Sequence, residues 1–187
     1  MSTETDYDSL VSCLVDSSDW QARDTAQKQL KLAGKAALPA IERKLDDPRW
    51  KARRTVAQLL DNALDDTNVH VLLRALKDQN AKVRRNALHS LSCEECKPQG
   101  CWNVDITGAL LDRALTDRSP RVRIAAISYL GWSRPPEQRV VDGMMVLMAT
   151  YDHPRVLVRA KRLHDESIKR LAAGVTQSAQ ATARIDI

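Results

Sequence analysis

Residues 45–60, LDDPRWKARRTVAQLL, contain the pattern that decides the fold. A turn with Asp and Pro is followed by about a dozen residues in which apolar side chains recur at the spacing of an α-helix. The pattern returns at residues 15–30, 76–91 and 115–130, and a looser copy begins at Asp152. Intervals of 30, 31 and 39 residues separate the first four starts. This regularity indicates an internal repeat, with an insertion of about eight residues in the third interval.

Each repeat is predicted to be a pair of helices. Segments such as KAALPAIERKLDD (35–47) and DITGALLDRALTD (105–117) precede the aligned stretches and carry an apolar stripe of their own. One helical hairpin cannot bury its stripe alone, so neighbouring hairpins must stack and share a core. Phe is absent and aromatic residues are only 4% of the chain, so this core consists of Leu, Ala, Val and Ile. We therefore predict an all-α fold, an α-solenoid of about five hairpins.

The repeat domain is predicted to span residues 7–172. Residues 1–6 are expected to form a flexible N-terminus. Residues 173–187, AGVTQSAQATARIDI, are small and polar with little periodicity, which predicts a flexible tail. The second helices of the hairpins are predicted near residues 20–33, 49–62, 80–92, 120–131 and 154–172, with a cysteine-containing insertion at 93–104.

An Asp in the turn and an Arg six residues later recur in three repeats: Asp47 and Arg53, Asp78 and Arg84, and Asp117 and Arg123. On these residues, the sequence resembles the HEAT-repeat family, particularly the short bacterial HEAT-like repeats also seen in phycobilin lyase subunits. The resemblance implies that the Asp and Arg side chains form a structural ladder between adjacent repeats, and it implies a fold more than a function. The terminal repeats depart from it, since Ser17 replaces the Asp before Arg23, and seven residues separate Asp152 from Arg159.

Three of the four cysteines and one histidine fall within residues 89–102, HSLSCEECKPQGCW. If the second helix of the third repeat continues to about residue 92, His89 and Cys93 lie on one face and point away from the main core. A fold-back of the insertion would add Cys96 and Cys101 and complete a Cys3His site for one structural zinc ion. The spacing is unusual for zinc, so a surface loop with free thiols is an equal alternative. A three-cysteine iron–sulfur site has less support. A redox role for Cys93 and Cys96 has less still, because a helix C-terminus does not stabilise a thiolate.

Basic side chains recur at the same point of successive repeats, where stacking would align them into a stripe. Apart from the ladder arginines, they are Arg54, Lys82, Arg85 and Arg121. Such a stripe suits phosphates or an acidic protein surface, although it is also typical of a solvated helix face. Trp20 and Trp50 occupy equivalent positions in the first two repeats. They are expected either to pack between hairpins, the more frequent arrangement, or to form an aromatic contact surface.

The sequence contains no recognisable catalytic arrangement. It has no Gly-rich phosphate loop and no nucleophile with a recognisable base partner. We therefore expect a non-catalytic binding or scaffolding module whose partner is a protein. The alternatives are a nucleic-acid-binding protein that uses the basic stripe, and a HEAT-like lyase or DNA glycosylase-type enzyme.

Charge and hydropathy indicate more about where the protein is located in the cell than about what it binds. The net charge of +5 permits an acidic partner but does not require one. No apolar run approaches the roughly 20 residues needed to cross a bilayer. The first ten residues, MSTETDYDSL, are acidic where a secretory signal would be basic and then apolar. We expect a cytoplasmic protein with reduced thiols and no membrane partner.

Overall fold

The repeats form helices that are joined by short turns. The computed structural model describes residues 5–62, 67–93, 104–132 and 137–182, without the side chains of residues 62 and 174–182. Within these ranges the chain forms ten α-helices and three short 3-10 helices, and no strand. The α-helices are α1 (Tyr7–Asp16), α2 (Trp20–Ala33), α3 (Leu38–Arg43), α4 (Trp50–Leu59), α5 (Val69–Ala75), α6 (Ala81–Ser92), α7 (Ile106–Thr116), α8 (Pro120–Leu130), α9 (Gln138–Thr150) and α10 (Pro154–Thr182). The 3-10 helices are Gly34–Ala37, Lys44–Asp46 and Leu60–Asn62.

The chain divides into two compact units, and the boundary lies between Ile106 and Thr107. Unit 1 contains helices α1 to α6, and unit 2 contains nearly all of α7 together with α8, α9 and α10. In unit 1, α4 packs against α6, so the second helices of two successive repeats are neighbours. In unit 2, α10 packs against both α8 and α9. Each unit therefore has the side-by-side packing of hairpins that a helical repeat requires.

The core of unit 1 consists of branched aliphatic and Ala side chains. Ala57 on α4 and Ala87 on α6 expose no surface, and these two helices pack against each other. Burying each large aliphatic side chain contributes about 1.5–3 kcal/mol. The largest fully buried side chains of this unit are Val11, Leu30, Val56, Leu60, Val71, Leu72, Val83 and Leu88.

The core of unit 2 has the same character. Its largest fully buried side chains are Leu110, Ile127, Met144 and Leu147. Gly143 on α9 faces Leu111 of α7, and a Cβ atom at position 143 would lie 2.6 Å from Leu111 Cδ1. The absence of a side chain at Gly143 therefore permits the close contact between these two helices.

The predicted all-α fold is confirmed. The second helices begin at Trp20, Trp50, Ala81, Pro120 and Pro154, against predicted starts at 20, 49, 80, 120 and 154. Helix α10 continues to Thr182, ten residues beyond the predicted end at 172. Residues 173–182 contain three alanines, whose high helix propensity is compatible with this extension. Most of the predicted insertion, residues 94–103, lies outside the described residues, as do residues 183–187.

Among the described residues, no helix is both long enough and apolar enough to cross a membrane.

Candidate functional site

A side-chain oxygen three residues before each of the first four second helices shapes the turn into that helix. Asp47, Asp78 and Asp117 accept hydrogen bonds from the backbone N–H two residues later, at 2.9, 2.7 and 2.8 Å. Ser17 accepts the equivalent bond through Oγ at 3.1 Å. Short polar side chains stabilise turns in this way. The replacement of Asp by Ser in the first repeat therefore preserves the turn.

The Arg six residues after each Asp closes the same turn from the helix. Arg53 donates through Nη1 to the carbonyl oxygen of Asp47 at 2.7 Å, and Arg84 donates through Nη1 to that of Asp78 at 2.7 Å. Arg123 donates through Nε to the carbonyl oxygen of its own turn Asp at 2.6 Å. The spacing of six residues therefore has a local cause: it brings the guanidinium group back to carbonyl groups that the turn leaves without a helical partner.

Arg53 also joins its repeat to the next one. Its Nε and Nη2 donate to the two carboxylate oxygens of Asp78 at 2.6 and 3.0 Å. Both side chains are less than one tenth exposed. Burial of Asp78 opposes its ionisation, but hydrogen bonds from Arg53 and from the Asn80 N–H, with the charges of Arg53 and Arg84, outweigh burial and hold the pKa of Asp78 below its ordinary value. Both residues belong to the predicted ladder, and their pair joins the second repeat to the third.

The carboxylate of Asp47 has different partners. It accepts hydrogen bonds from Nε and Nη2 of Arg49 at 3.0 and 2.7 Å, and it lies 3.2 Å from Nζ of Lys44. The hydrogen bonds from Arg49 hold the pKa of Asp47 far below its ordinary value, against the effect of burial. Arg23 of the first repeat donates through Nε to the carbonyl oxygen of Leu14 at 3.1 Å. A terminal repeat with a single neighbour is expected to differ from the others.

The contact between the last two repeats differs from the Arg53–Asp78 pair. The guanidinium carbon of Arg123 lies 4.0 Å from the ring centroid of Tyr151, which is the residue before Asp152. This distance permits a cation–π interaction. An aromatic ring therefore contacts Arg123, whereas Arg53 contacts a carboxylate.

The predicted basic stripe is partly engaged with neighbouring side chains. Nζ of Lys82 lies 4.6 Å from the ring centroid of Trp50, and Nε of Arg54 donates to Oδ1 of Asn86 at 3.2 Å. Lys82 and Arg85 are exposed. We call Trp20, Trp50, Arg54, Lys82 and Arg85 the second-helix surface of unit 1. Arg121 is exposed on α8 of unit 2.

The two tryptophans at equivalent positions have different environments. Trp20 is 71% exposed at the start of α2, so the expected packing between hairpins is wrong for this residue. Trp50 is partly buried at the start of α4 and contacts Lys82. Equivalent sequence positions did not reveal this difference, because exposure depends on what the neighbouring repeat places over each ring.

The structure corrects the expectation that both His89 and Cys93 point away from the core. The His89 side chain is 40% exposed, but Cys93 is buried. Helix α6 ends at Ser92, and Cys93 has an extended backbone, so the helical angle that placed it beside His89 no longer applies. Cys96 and Cys101, the other two predicted zinc ligands, lie outside the described residues.

Asp61 is a candidate ligand that the sequence analysis missed. Asp61, His89 and Cys93 each offer one ligand atom, and these atoms lie within 4.8 Å of one another. The repeat alignment contains a signal for this proximity, because it pairs position 61 with position 92, next to Cys93. Stacked repeats bring equivalent positions together.

A shallow pocket of about 210 Å³ lies in unit 2. Its lining includes Trp132, Arg159, Arg162, Leu163 and Glu166. Arg162 donates through Nε to Oε1 of Glu166 at 2.9 Å, so a carboxylate of the chain already contacts one of the two guanidinium groups. The pocket is therefore a weaker candidate for an anionic ligand than its arginine content suggests.

A family model described as HEAT repeats matches residues 71–160. Residues 71–160 therefore contain HEAT repeats. The match begins in α5 and ends within α10, so it covers helices of both units. The resemblance to the HEAT-repeat family and the predicted α-solenoid class are thereby confirmed.

A solved structure has a similar fold over most of the chain. A chain from the complex of CpcE and CpcF of phycocyanin lyase from Nostoc sp. PCC7120 is similar at 20% sequence identity and a TM-score of 0.58, over 84% of this chain and 96% of that one. An engineered protein is 18% identical with a TM-score of 0.47, over 87% of this chain and 79% of that one. No match to a curated protein was found by sequence. At these identities, the likeness concerns the fold alone.

Proposed function

We propose that this HEAT-repeat protein is a non-catalytic binding module, and that the second-helix surface of unit 1 binds an acidic surface of a protein partner. The observation that carries the proposal is the 71% exposure of Trp20. A large aromatic ring that remains in water gains much of its transfer free energy only when a partner covers it. Trp and Arg are also the residue types that contribute most at protein interfaces.

Charge supports an acidic partner. Lys82 and Arg85 are exposed on α6, and Lys82 lies against the partly buried Trp50. A cation held against a ring has fewer conformations to lose when a carboxylate binds it. The surface therefore combines apolar area with positive charge, which favours a partner that presents both apolar and acidic side chains.

The shared fold is a second support. The similar solved chain comes from a complex of two proteins, CpcE and CpcF. A fold of this kind is thus compatible with binding another protein over its helical surface. The likeness in fold does not extend to residues, so the lyase activity named for that complex is not part of this proposal.

A capture experiment with matched variants tests the proposal. The full chain is immobilised, and the proteins that it retains from its native cell are compared with those retained by Trp20→Ala/Lys82→Glu/Arg85→Glu. The control, Leu32→Ala/Lys35→Glu/Lys77→Glu, changes exposed residues of similar chemistry elsewhere in unit 1. We expect one partner to be lost by the first variant and kept by the control.

Three outcomes of this experiment would contradict the proposal. Equal retention by both variants would mean that another surface binds. Capture of nucleic acid that weakens steeply as salt rises would favour the nucleic-acid alternative. Turnover of a captured substrate would show that the module is catalytic.

A further inference from the structure

Three side chains of different metal-ligand types meet at the ends of two neighbouring helices in unit 1. Asp61 lies in the 3-10 helix that follows α4, His89 lies in the last turn of α6, and Cys93 caps α6. One oxygen, one nitrogen and one sulfur atom lie within 4.8 Å of one another. This arrangement differs from an acidic surface cluster, because it combines three kinds of donor atom.

The distance between the ligand atoms of Asp61 and His89 suits a shared metal ion. Nε2 of His89 and Oδ2 of Asp61 are 3.4 Å apart. This is longer than the usual N–H···O hydrogen bond of about 2.9–3.0 Å. It falls within the separation of about 3.3–3.8 Å between two ligands of a tetrahedral zinc ion with bonds of about 2.0–2.3 Å. The other separations are at most 4.8 Å, so side-chain movements of about 1 Å would bring them into the same range.

Burial and charge also favour a cation here. Cys93 is buried, whereas the side chains of Asp61 and His89 are 20% and 40% exposed, so an ion can approach from the side of His89. The cluster lies at the C-terminal ends of α4 and α6, where the helix dipoles place partial negative charge. A carboxylate and a thiolate together would balance the charge of a divalent ion.

We propose that Asp61, His89 and Cys93 bind one zinc ion, with water as the fourth ligand. Sulfur and nitrogen donors favour zinc over magnesium or calcium, which prefer oxygen donors. The ion would join the end of the second repeat to the end of the third, and the Arg53–Asp78 pair already joins these repeats near the starts of their second helices. This site does not require Cys96 or Cys101.

Metal titration of the full chain tests the site. After removal of metal by a chelator, Zn²⁺ is added in competition with a chromophoric chelator, and we expect one equivalent to bind. Co²⁺ in place of Zn²⁺ should give a thiolate-to-cobalt charge-transfer band and the visible bands of tetrahedral cobalt. Asp61→Asn, His89→Ala and Cys93→Ala should each weaken zinc binding at least about tenfold, and Cys93→Ala should abolish the charge-transfer band.

Matched variants provide the controls. Asp46→Asn, His70→Ala and Cys13→Ala change the same residue types elsewhere in unit 1, and they should leave zinc affinity unchanged. Circular dichroism of each metal-free variant checks that it folds. Asp61→Asn decides the outcome even if Cys93→Ala unfolds, because the substitution is isosteric and position 61 is partly exposed. Absence of bound zinc, a cobalt complex without thiolate absorption, or wild-type zinc affinity in folded Asp61→Asn would overturn the proposal.

Discussion

At the scale of single residues, Arg53 is bound to two repeats at once. Its guanidinium group donates to a carbonyl oxygen of its own turn and to both carboxylate oxygens of Asp78 in the next repeat. The resemblance to the HEAT-repeat family implied a structural role for the Asp and Arg that are six residues apart. The sequence could not show which carboxylate each Arg contacts, because Asp47 is bound by Arg49 and Lys44, which lie outside that pattern.

Removal of the Asp78 carboxylate should destabilise unit 1. Asp78→Ala leaves the Arg53 guanidinium buried without its counter-ion, and we expect a loss of about 3 kcal/mol in the free energy of unfolding. Urea denaturation followed by circular dichroism measures it. Asp8→Ala removes the partner of Arg43 in a pair whose side chains are both 61% exposed, and it should cause a much smaller loss. Equal losses in the two variants would contradict the assigned role of Asp78.

The same pair should make stability depend on pH. Because the pKa of Asp78 is lower in the folded state than its ordinary value of 3.8, the unfolded chain binds a proton more readily. This contribution to stability is therefore present above about pH 4 and is lost as the pH falls towards the lower folded pKa. Urea denaturation between about pH 5 and the acid limit of folding should show a flatter dependence for Asp78→Asn than for the wild type. Parallel curves would contradict the shift.

At the scale of helices, Ala87 on α6 and Ala57 on α4 are fully buried, and these two helices pack against each other. The sequence predicted a core that includes Ala, but the repeat alignment pairs Ala57 with Leu88 and Ala87 with Val56, so it marked no fixed point for a small side chain. It did not predict the length of α10, whose last residues lack an apolar stripe. Periodicity indicates the face that a helix buries, and it gives little information where a helix extends beyond its packing partners.

A larger side chain between α4 and α6 should be poorly tolerated. Ala87→Leu adds volume at a fully buried contact, so we expect a loss of about 1–3 kcal/mol in the free energy of unfolding. The control is Ala149→Leu, which adds the same volume at an exposed position of α9 and should change stability by less than about 0.5 kcal/mol. Chemical denaturation measures the free energy of unfolding of both variants. An Ala87→Leu variant as stable as the wild type would mean that the two helices do not pack as described.

At the scale of the whole molecule, the repeat pattern predicted the fold class because each hairpin needs a neighbour to bury its stripe. The candidate sites were harder to predict. Asp61 approaches His89 and Cys93 through the stacking of two repeats, and the exposure of Trp20 depends on the environment of α2. Both properties arise between segments that are distant in sequence, which a local pattern does not describe.

Two truncations should differ in their effects, because one removes packed helices and the other removes only the last five residues. Deletion of residues 137–187 removes α9 and α10 and uncovers the side of α8 that packs against α10, so we expect increased binding of a hydrophobic dye and lower solubility. Deletion of residues 183–187 should change neither property. Dye fluorescence and light scattering compare the two variants, and a soluble 1–136 fragment without dye binding would contradict the described packing.

Site-specific photo-crosslinking from position 82 tests the central claim that the second-helix surface of unit 1 binds a protein. A photoreactive amino acid replaces Lys82 in the full chain, and the control replaces the exposed Lys77 beyond the end of α5. Irradiation in the native cell should join position 82, but not position 77, to one protein. Equal adducts from both positions, or adducts of position 82 with nucleic acid alone, would contradict the account.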